Sequence, residues 1–238
     1  MIRVAVVQMR LSTSMRKNRD NILLHIDKAH KRKADIVCFP EVSLQSEYDI
    51  SRDPHEDIKK IKERCKERSI HCIFGSYLPY RGKLKNSLFL IDDEGNILYR
   101  YDKIHLWKDE KGKVIPGKRN KVVKTKLGKI AMIDCWDFAF SEYSRSLARK
   151  GAKIIFCPSY LVSHKKDGEV LRKIPLVKAF ENISYYISCD AFSKETLSES
   201  FICHPGKILK HIKGKEGMMV SDVDLSEIDK LRKEYDHL

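Results

Sequence analysis

Apolar residues in this chain come in short runs, and the period within each run tells which element it forms. Residues 2–9 are β-branched and almost continuously apolar, the pattern of a strand buried on both faces. Residues 16–32 carry Ile22, Leu23, Ile26 and Ala29 on one stripe, which predicts an amphipathic helix. Asp35-Ile36-Val37-Cys38-Phe39 is a short strand stopped by Pro40. Residues 57–68 return to the helical period, with Ile58, Ile61 and Cys65 on one side. Strand signals follow at 72–78, 87–92 and 97–101. Gly82 and Asp93-Glu94-Gly95-Asn96 supply the turns between them.

The second half repeats the order. Residues 129–133 read as a strand leading to Asp134-Cys135, and 142–150 as a helix capped by Gly151. Residues 153–157 are a strand ending at Pro158. The helical stretch 170–184 contains Pro175, which either interrupts it or marks its true start. Strands at 185–189, 200–204, 208–212 and 218–223 precede a polar helix over 224–235. Each half therefore reads strand–helix–strand–helix, then adjacent strands. That is an α/β pattern suited to sheets covered by helices on one face and packed together on the other. At 238 residues, 1–238 is expected to be a single domain.

Composition narrows the function classes. The formal net charge is +14, but the basic residues are dispersed and form no nucleic-acid module, so a solvated surface is the expectation and no nucleic acid is a predicted partner. The same excess favours encounter with an anionic small molecule. The seven cysteines sit mostly in apolar runs with no CxxC spacing, which argues against a zinc or dithiol site and for a reducing compartment. The first residues run straight into a strand without a signal-peptide pattern, and no segment is apolar long enough to span a bilayer. A cytoplasmic protein with no membrane partner is expected.

Three reactive residues follow strands at their carboxyl ends, where α/β sheets collect functional groups. Glu41 follows Ile36-Val37-Cys38-Phe39-Pro40, Lys103 follows the strand at 97–101, and Cys135 follows Ile130-Ala131-Met132-Ile133-Asp134. Singly, each has a bland alternative: a solvated Glu, a surface Lys, an inert buried thiol. Together their contexts are more specific. Phe39-Pro40-Glu41, Tyr101-Asp102-Lys103-Ile104-His105-Leu106 and Cys135-Trp136-Asp137-Phe138-Ala139-Phe140-Ser141-Glu142 occur in an order that resembles the signature segments of the nitrilase superfamily of carbon–nitrogen hydrolases. Gln8 at the end of the first strand, Lys178-Ala179-Phe180-Glu181-Asn182 and Ser200-Phe201-Ile202-Cys203-His204-Pro205-Gly206 extend the resemblance over nearly the whole chain.

The resemblance implies an α-β-β-α sandwich of two mixed sheets and a Glu-Lys-Cys triad, here Glu41, Lys103 and Cys135. It also implies a second carboxylate after the Lys. Glu110 is the best match, with Asp109, or neither, as the alternatives. The expected activity is hydrolysis of a small linear amide through a thioester on Cys135, with release of ammonia or an amine. No cofactor and no metal are called for, and the resemblance suggests a homodimer or larger homo-oligomer. Trp136, Tyr48 and Tyr160 are candidates to line the substrate pocket. His105 is expected to support its loop, Glu142 and Arg145 to form a structural ion pair, and Glu181 and Asn182 to anchor a helix. After the cysteine the family's common pattern is Tyr-Asp-x-Arg-Phe-Pro-Glu. Here Trp136, Ala139 and Ser141 replace its Tyr, Arg and Pro, and those positions bear on the substrate. Cys135-Trp136 is also similar to the Cys-Trp pair of true nitrilases, which carry Glu where this chain has Asp137. A nitrilase, an N-carbamoyl amino acid hydrolase and a catalytically silent binding protein on the same fold are the competing expectations.

Overall fold

The period-two runs pair into two mixed six-stranded sheets in a computed structural model that describes residues 1–162 and 167–235. In the first sheet β1 (Ile2–Gln8), β2 (Ile36–Cys38) and β3 (His71–Tyr80) run parallel, and β4 (Lys83–Ile91) and β5 (Ile97–Asp102) extend it antiparallel. In the second, β7 (Gly128–Met132), β8 (Ile154–Ser159) and β9 (Tyr185–Asp190) are parallel, with β10 (Glu199–His204) and β11 (Lys207–Lys213) antiparallel beyond them. The edges are closed by β6 (Val123–Thr125) on β7 and by β12 (Gly217–Val223), which returns to pair antiparallel with β1.

Parallel neighbours need a crossover, and helices supply it. α1 (Met15–Lys31) and α2 (His55–Arg68) connect β1 to β2 and β2 to β3. α3 (Ser141–Arg149) and α4 (Gly168–Glu181) do the same from β7 to β8 and from β8 to β9. Strand alternation then sorts the apolar side chains. Val4, Val6, Ile36, Cys38 and Ile73 face the other sheet and meet Ile130, Met132, Ile154, Phe156 and Ile187. Their neighbours Ala5, Val7, Val37, Phe39 and Phe74 face outward onto Ile22, Ile26, Ile58 and Ile61 of α1 and α2. Ala131, Ile133, Ile155 and Tyr186 likewise meet Leu147 of α3 and Ala179 of α4. The result is the α-β-β-α sandwich, and it brings the carboxyl ends of β2 and β7 toward one region between the sheets.

Some boundaries differ from the sequence reading. α4 starts at Gly168 and runs through Pro175, so the proline neither interrupts it nor begins it. A proline deletes one donor, and the rest of the helix is held by packing: Pro175 is buried, and Ala179 belongs to the core. The hairpin of β3 and β4 reaches two to four residues further than its apolar pattern, because Pro79 and the lysines at its tip mask strands that pair as far as Tyr80 with Lys83. β6 is too short to show a period. α5 (Leu225–Tyr235) buries only Ile228, and Arg232 ties it down by donating to the carbonyls of Ile183 and Ala152 at 3.0 and 2.5 Å. Among the described residues no helix is long and apolar enough to cross a membrane.

Candidate active site

Glu41 lies just past β2 on a loop with unusual backbone geometry. Val42 takes φ 46°, a left-handed conformation that a β-branched residue strongly disfavours. Gly75 of β3 makes room for it: a Cβ there would lie 2.4 Å from the Val42 nitrogen and 3.0 Å from the Glu41 Cα. Gly117 has the same relation to the strand before Lys103, since its Cβ would fall 1.9 Å from the Asp102 carbonyl oxygen. Its N–H donates to the Lys103 carbonyl at 2.7 Å. Two glycines therefore let backbone pack directly behind two of the candidate catalytic residues.

The side chains of Glu41, Lys103 and Glu110 meet in a buried cluster. The Lys103 ammonium lies 2.6 Å from Glu41 Oε1 and 2.8 Å from Glu110 Oε2. Asn86 of β4 donates through Nδ2 to both carboxylates, at 2.7 Å each. The second oxygen of Glu41 accepts the Tyr160 N–H at 2.7 Å, and Glu110 Oε2 also accepts the Trp107 N–H at 2.8 Å. Of the two acidic residues after Lys103, Glu110 is the buried partner, while Asp109 is exposed at the cavity rim. Burial alone would push the Lys103 pKa down. The carboxylates of Glu41 and Glu110 outweigh it, and the ammonium is held charged well above its ordinary range.

Cys135 starts a 3-10 turn at φ 43°, the second left-handed non-glycine residue at the site. Such strain is of order 1–3 kcal/mol and persists only where the surroundings enforce it. Asp137 does the enforcing. Its buried carboxylate accepts the Asp134 N–H at 2.9 Å and the Tyr101 hydroxyl at 2.6 Å. It also accepts the His105 N–H at 3.0 Å and contacts His105 Nδ1 at 2.7 Å. The nucleophile turn is thereby fastened to the segment that carries Lys103, and His105 holds its loop as expected. The Cys135 sulfur lies 3.9 Å from the Tyr160 carbonyl, whose own residue bonds Glu41 through its N–H. The Trp136 N–H belongs to the first turn, where backbone donors have no intrahelical acceptor. Burial and the charge of Glu41 push the Cys135 thiol well above its ordinary pKa, and Lys103 offsets only part of that. The resting group is a thiol, so attack requires a base to take its proton.

Glu41, Lys103, Glu110 and Cys135 all line one cavity of about 1010 Å³. Trp136, Tyr48 and Tyr160 line the same cavity. Trp136 packs edge-on against Trp107 with ring centroids 4.6 Å apart, and Tyr48 tilts against Tyr77 at 4.9 Å. Lys178 and Glu181 of α4 also face it, paired at 2.8 Å, while Asn182 reaches Ser144 of α3 at 3.4 Å and so anchors the two helices. Glu142 is exposed on α3. Asn86 and Asp137 went unassigned in the sequence reading.

The carbon–nitrogen hydrolase family model matches residues 3–233, and the chain belongs to that family. It is similar to omega-amidase NIT2 of Mus musculus, with 26% identity over 258 aligned residues that cover 98% of this chain and 92% of the relative. A carbon–nitrogen hydrolase structure from Helicobacter pylori superposes with a TM-score of 0.89 at 21% identity, over 99% of this chain and 93% of its own. A mutant amidase from Nesterenkonia sp., which carries the acetamide moiety of fluoroacetamide covalently on its active-site cysteine, superposes with a TM-score of 0.86 at 18% identity, over 100% and 97%.

Proposed function

We propose that this chain hydrolyses the carbon–nitrogen bond of small linear amides through a thioester on Cys135, with Glu41 as general base, Lys103 as electrostatic stabiliser and Glu110 as the second carboxylate. The observation that carries the reading is the buried Lys103 ammonium shared by Glu41 and Glu110 in the cavity that Cys135 lines. The amidases and omega-amidase among the relatives support it.

Glu41 takes the Cys135 thiol proton as sulfur bonds to the amide carbon. The tetrahedral oxyanion is stabilised by the Lys103 ammonium and the Trp136 N–H; one preorganised donor of this kind contributes about 3–4 kcal/mol. Glu41 then protonates the departing nitrogen, and ammonia or an amine leaves the acyl-thioester. Water, deprotonated by Glu41, cleaves the thioester and restores the thiol. Glu110 holds Lys103 and the Trp107 segment in place. The reading includes a homodimer, as the family resemblance suggests, and a reducing compartment, supported by seven buried free thiols.

Replacement of Cys135 by Ala tests it. Ammonia release from small amides should fall to background while the far-ultraviolet circular dichroism and thermal midpoint stay close to wild type. Undiminished release by Cys135→Ala would sink the mechanism.

A further inference from the structure

A buried carboxylate of the second sheet takes no part in the chemistry proposed for Cys135, yet it grips the segment on which that chemistry depends. Asp190 is the last residue of β9 and is 1% exposed. Its Oδ1 accepts the Leu161 N–H at 2.9 Å and the Ala191 N–H at 3.0 Å. Its Oδ2 accepts the Ser198 N–H at 2.8 Å. Leu161 lies just after β8 and Ser198 just before β10, the two neighbours of β9 in the sheet, so one side chain staples the loops on either side of its own strand. Gln8 and Ser200, two residues of the motif segments to which the chemistry gives no role, brace Asp190 from behind. The Ser200 hydroxyl accepts the Asp190 N–H at 2.9 Å and donates to Gln8 Oε1 at 2.8 Å. The Gln8 amide donates to the carbonyls of Ser198 and Lys215, at 2.8 Å each.

The Leu161 N–H and the Tyr160 carbonyl belong to one peptide unit. That unit is planar, and in the trans form its N–H and C=O point in opposite directions. Fixing the N–H on Asp190 therefore fixes where the carbonyl points, and the carbonyl oxygen lies 3.9 Å from the Cys135 sulfur. The same anchor holds the Tyr160 N–H, one bond further back along the chain, against Glu41 Oε2 at 2.7 Å. Nucleophile and base thus both touch a residue whose orientation is set from the far side by Asp190. We infer that Asp190 is a positioning residue for the reaction: it holds the Tyr160–Leu161 peptide so that the Tyr160 N–H meets Glu41 and the Tyr160 carbonyl meets the Cys135 sulfur. The inference rests on the reading of Cys135 and Glu41 as nucleophile and base of an amidase.

Two measurements on Asp190→Ala and Asp190→Asn test it. The first is steady-state ammonia release from a small primary amide, with rates divided by the concentration of folded enzyme. In Asp190→Ala kcat should fall on the order of ten-fold or more, because small displacements of reacting groups are costly. KM should stay within about two-fold, since the lost contacts act on the groups that react and not on substrate binding. Asp190→Asn keeps one oxygen acceptor and should fall between Asp190→Ala and wild type. The second measurement is amide hydrogen exchange, which needs no turnover. Residues 155–162 should exchange faster in Asp190→Ala while the strands of the first sheet keep their protection. A purely structural Asp190 would lower the thermal midpoint and leave kcat per folded molecule at the wild-type value, and that result overturns the inference. Wild-type exchange over 155–162 overturns it as well. Where Asp190→Ala does not fold, Asp190→Asn carries both readouts. If the wild type hydrolyses no amide while the variants still loosen 155–162, the amidase reading falls and the staple on the Tyr160–Leu161 peptide stands.

Discussion

Asn86 is the residue on which the candidate acid–base pair depends most. A single side-chain amide holds two carboxylates, at 2.7 Å each, that would otherwise repel across Lys103. Charge-assisted bonds of this kind contribute roughly 1.5–3 kcal/mol apiece. Asn86→Leu should therefore lower kcat on the order of a hundred-fold with little change in KM, measured by steady-state ammonia release. A wild-type kcat would remove Asn86 from the positioning of Glu41. This residue was not legible in the sequence, since it lies in the middle of β4, and only the pairing of β4 between β3 and β5 puts it beside Glu41 and Glu110. Glu41, Lys103 and Cys135 were legible because each directly follows a strand within a longer motif. The motif pointed to Glu110 and left Asp109 as an alternative, and the 3-10 turn separates the two by burying only Glu110.

At the scale of elements, close packing behind the site does what hydrogen bonds do in front of it. Gly75 belongs to β3, yet its missing Cβ sets the path of the loop after β2. Gly75→Ala must push the Glu41–Val42 backbone away, and overpacking of this kind costs about 1–3 kcal/mol. The variant should lose both stability and most of its turnover. Gly82→Ala is the contrast: φ there is +72° at a hairpin tip with nothing within 4 Å. It should cost about 1 kcal/mol of stability and leave kcat alone, as read by thermal melts and amide hydrolysis side by side. Equal kinetic effects of the two would contradict the packing argument. Most elements were readable from period two or 3.6, because buried stripes leave that trace. Pro175 misled because propensity argues locally, whereas the contacts of α4 with the second sheet hold the helix on both sides of the missing donor. β6 left no trace because three residues at an edge hold less than two periods.

For the whole molecule, the site has a cost in stability that depends on pH. Asp134, next to the nucleophile, is fully buried, and neither carboxyl oxygen has a hydrogen-bond partner among the described residues. Burial first, and the charge of Glu41 next, push its pKa well above the ordinary value despite the opposing effect of Lys103. An unfolded chain releases this proton near pH 4, at a reference pKa of about 3.9. The folded protein keeps it, and so binds one more proton than the unfolded state above that pH. Stability therefore falls as pH rises from about 4 toward the raised folded value, by at most about 1.4 kcal/mol per pH unit. Asp134→Asn cannot ionise and lacks this slope. Denaturant unfolding at pH 4.5 and pH 7 should show the variant gaining on wild type at the higher pH. A gap that stays constant or narrows would mean that Asp134 is charged in the folded protein. The layering of the molecule was legible from the two repeated element orders and the family resemblance. The lining of the cavity was not, because its residues come from segments far apart in sequence and only the closed sandwich collects them around one opening.

The covalent step is the central claim, and mass spectrometry tests it most directly. Wild-type protein incubated with a slowly hydrolysed amide and quenched in acid should gain the mass of the acyl group less one hydrogen, mapped by proteolysis to the peptide containing Cys135. Glu41→Gln, which lacks the base for deacylation, should hold any adduct it forms for longer. Ammonia release with no adduct on Cys135, or with the adduct on Cys157 or another cysteine, would contradict the account.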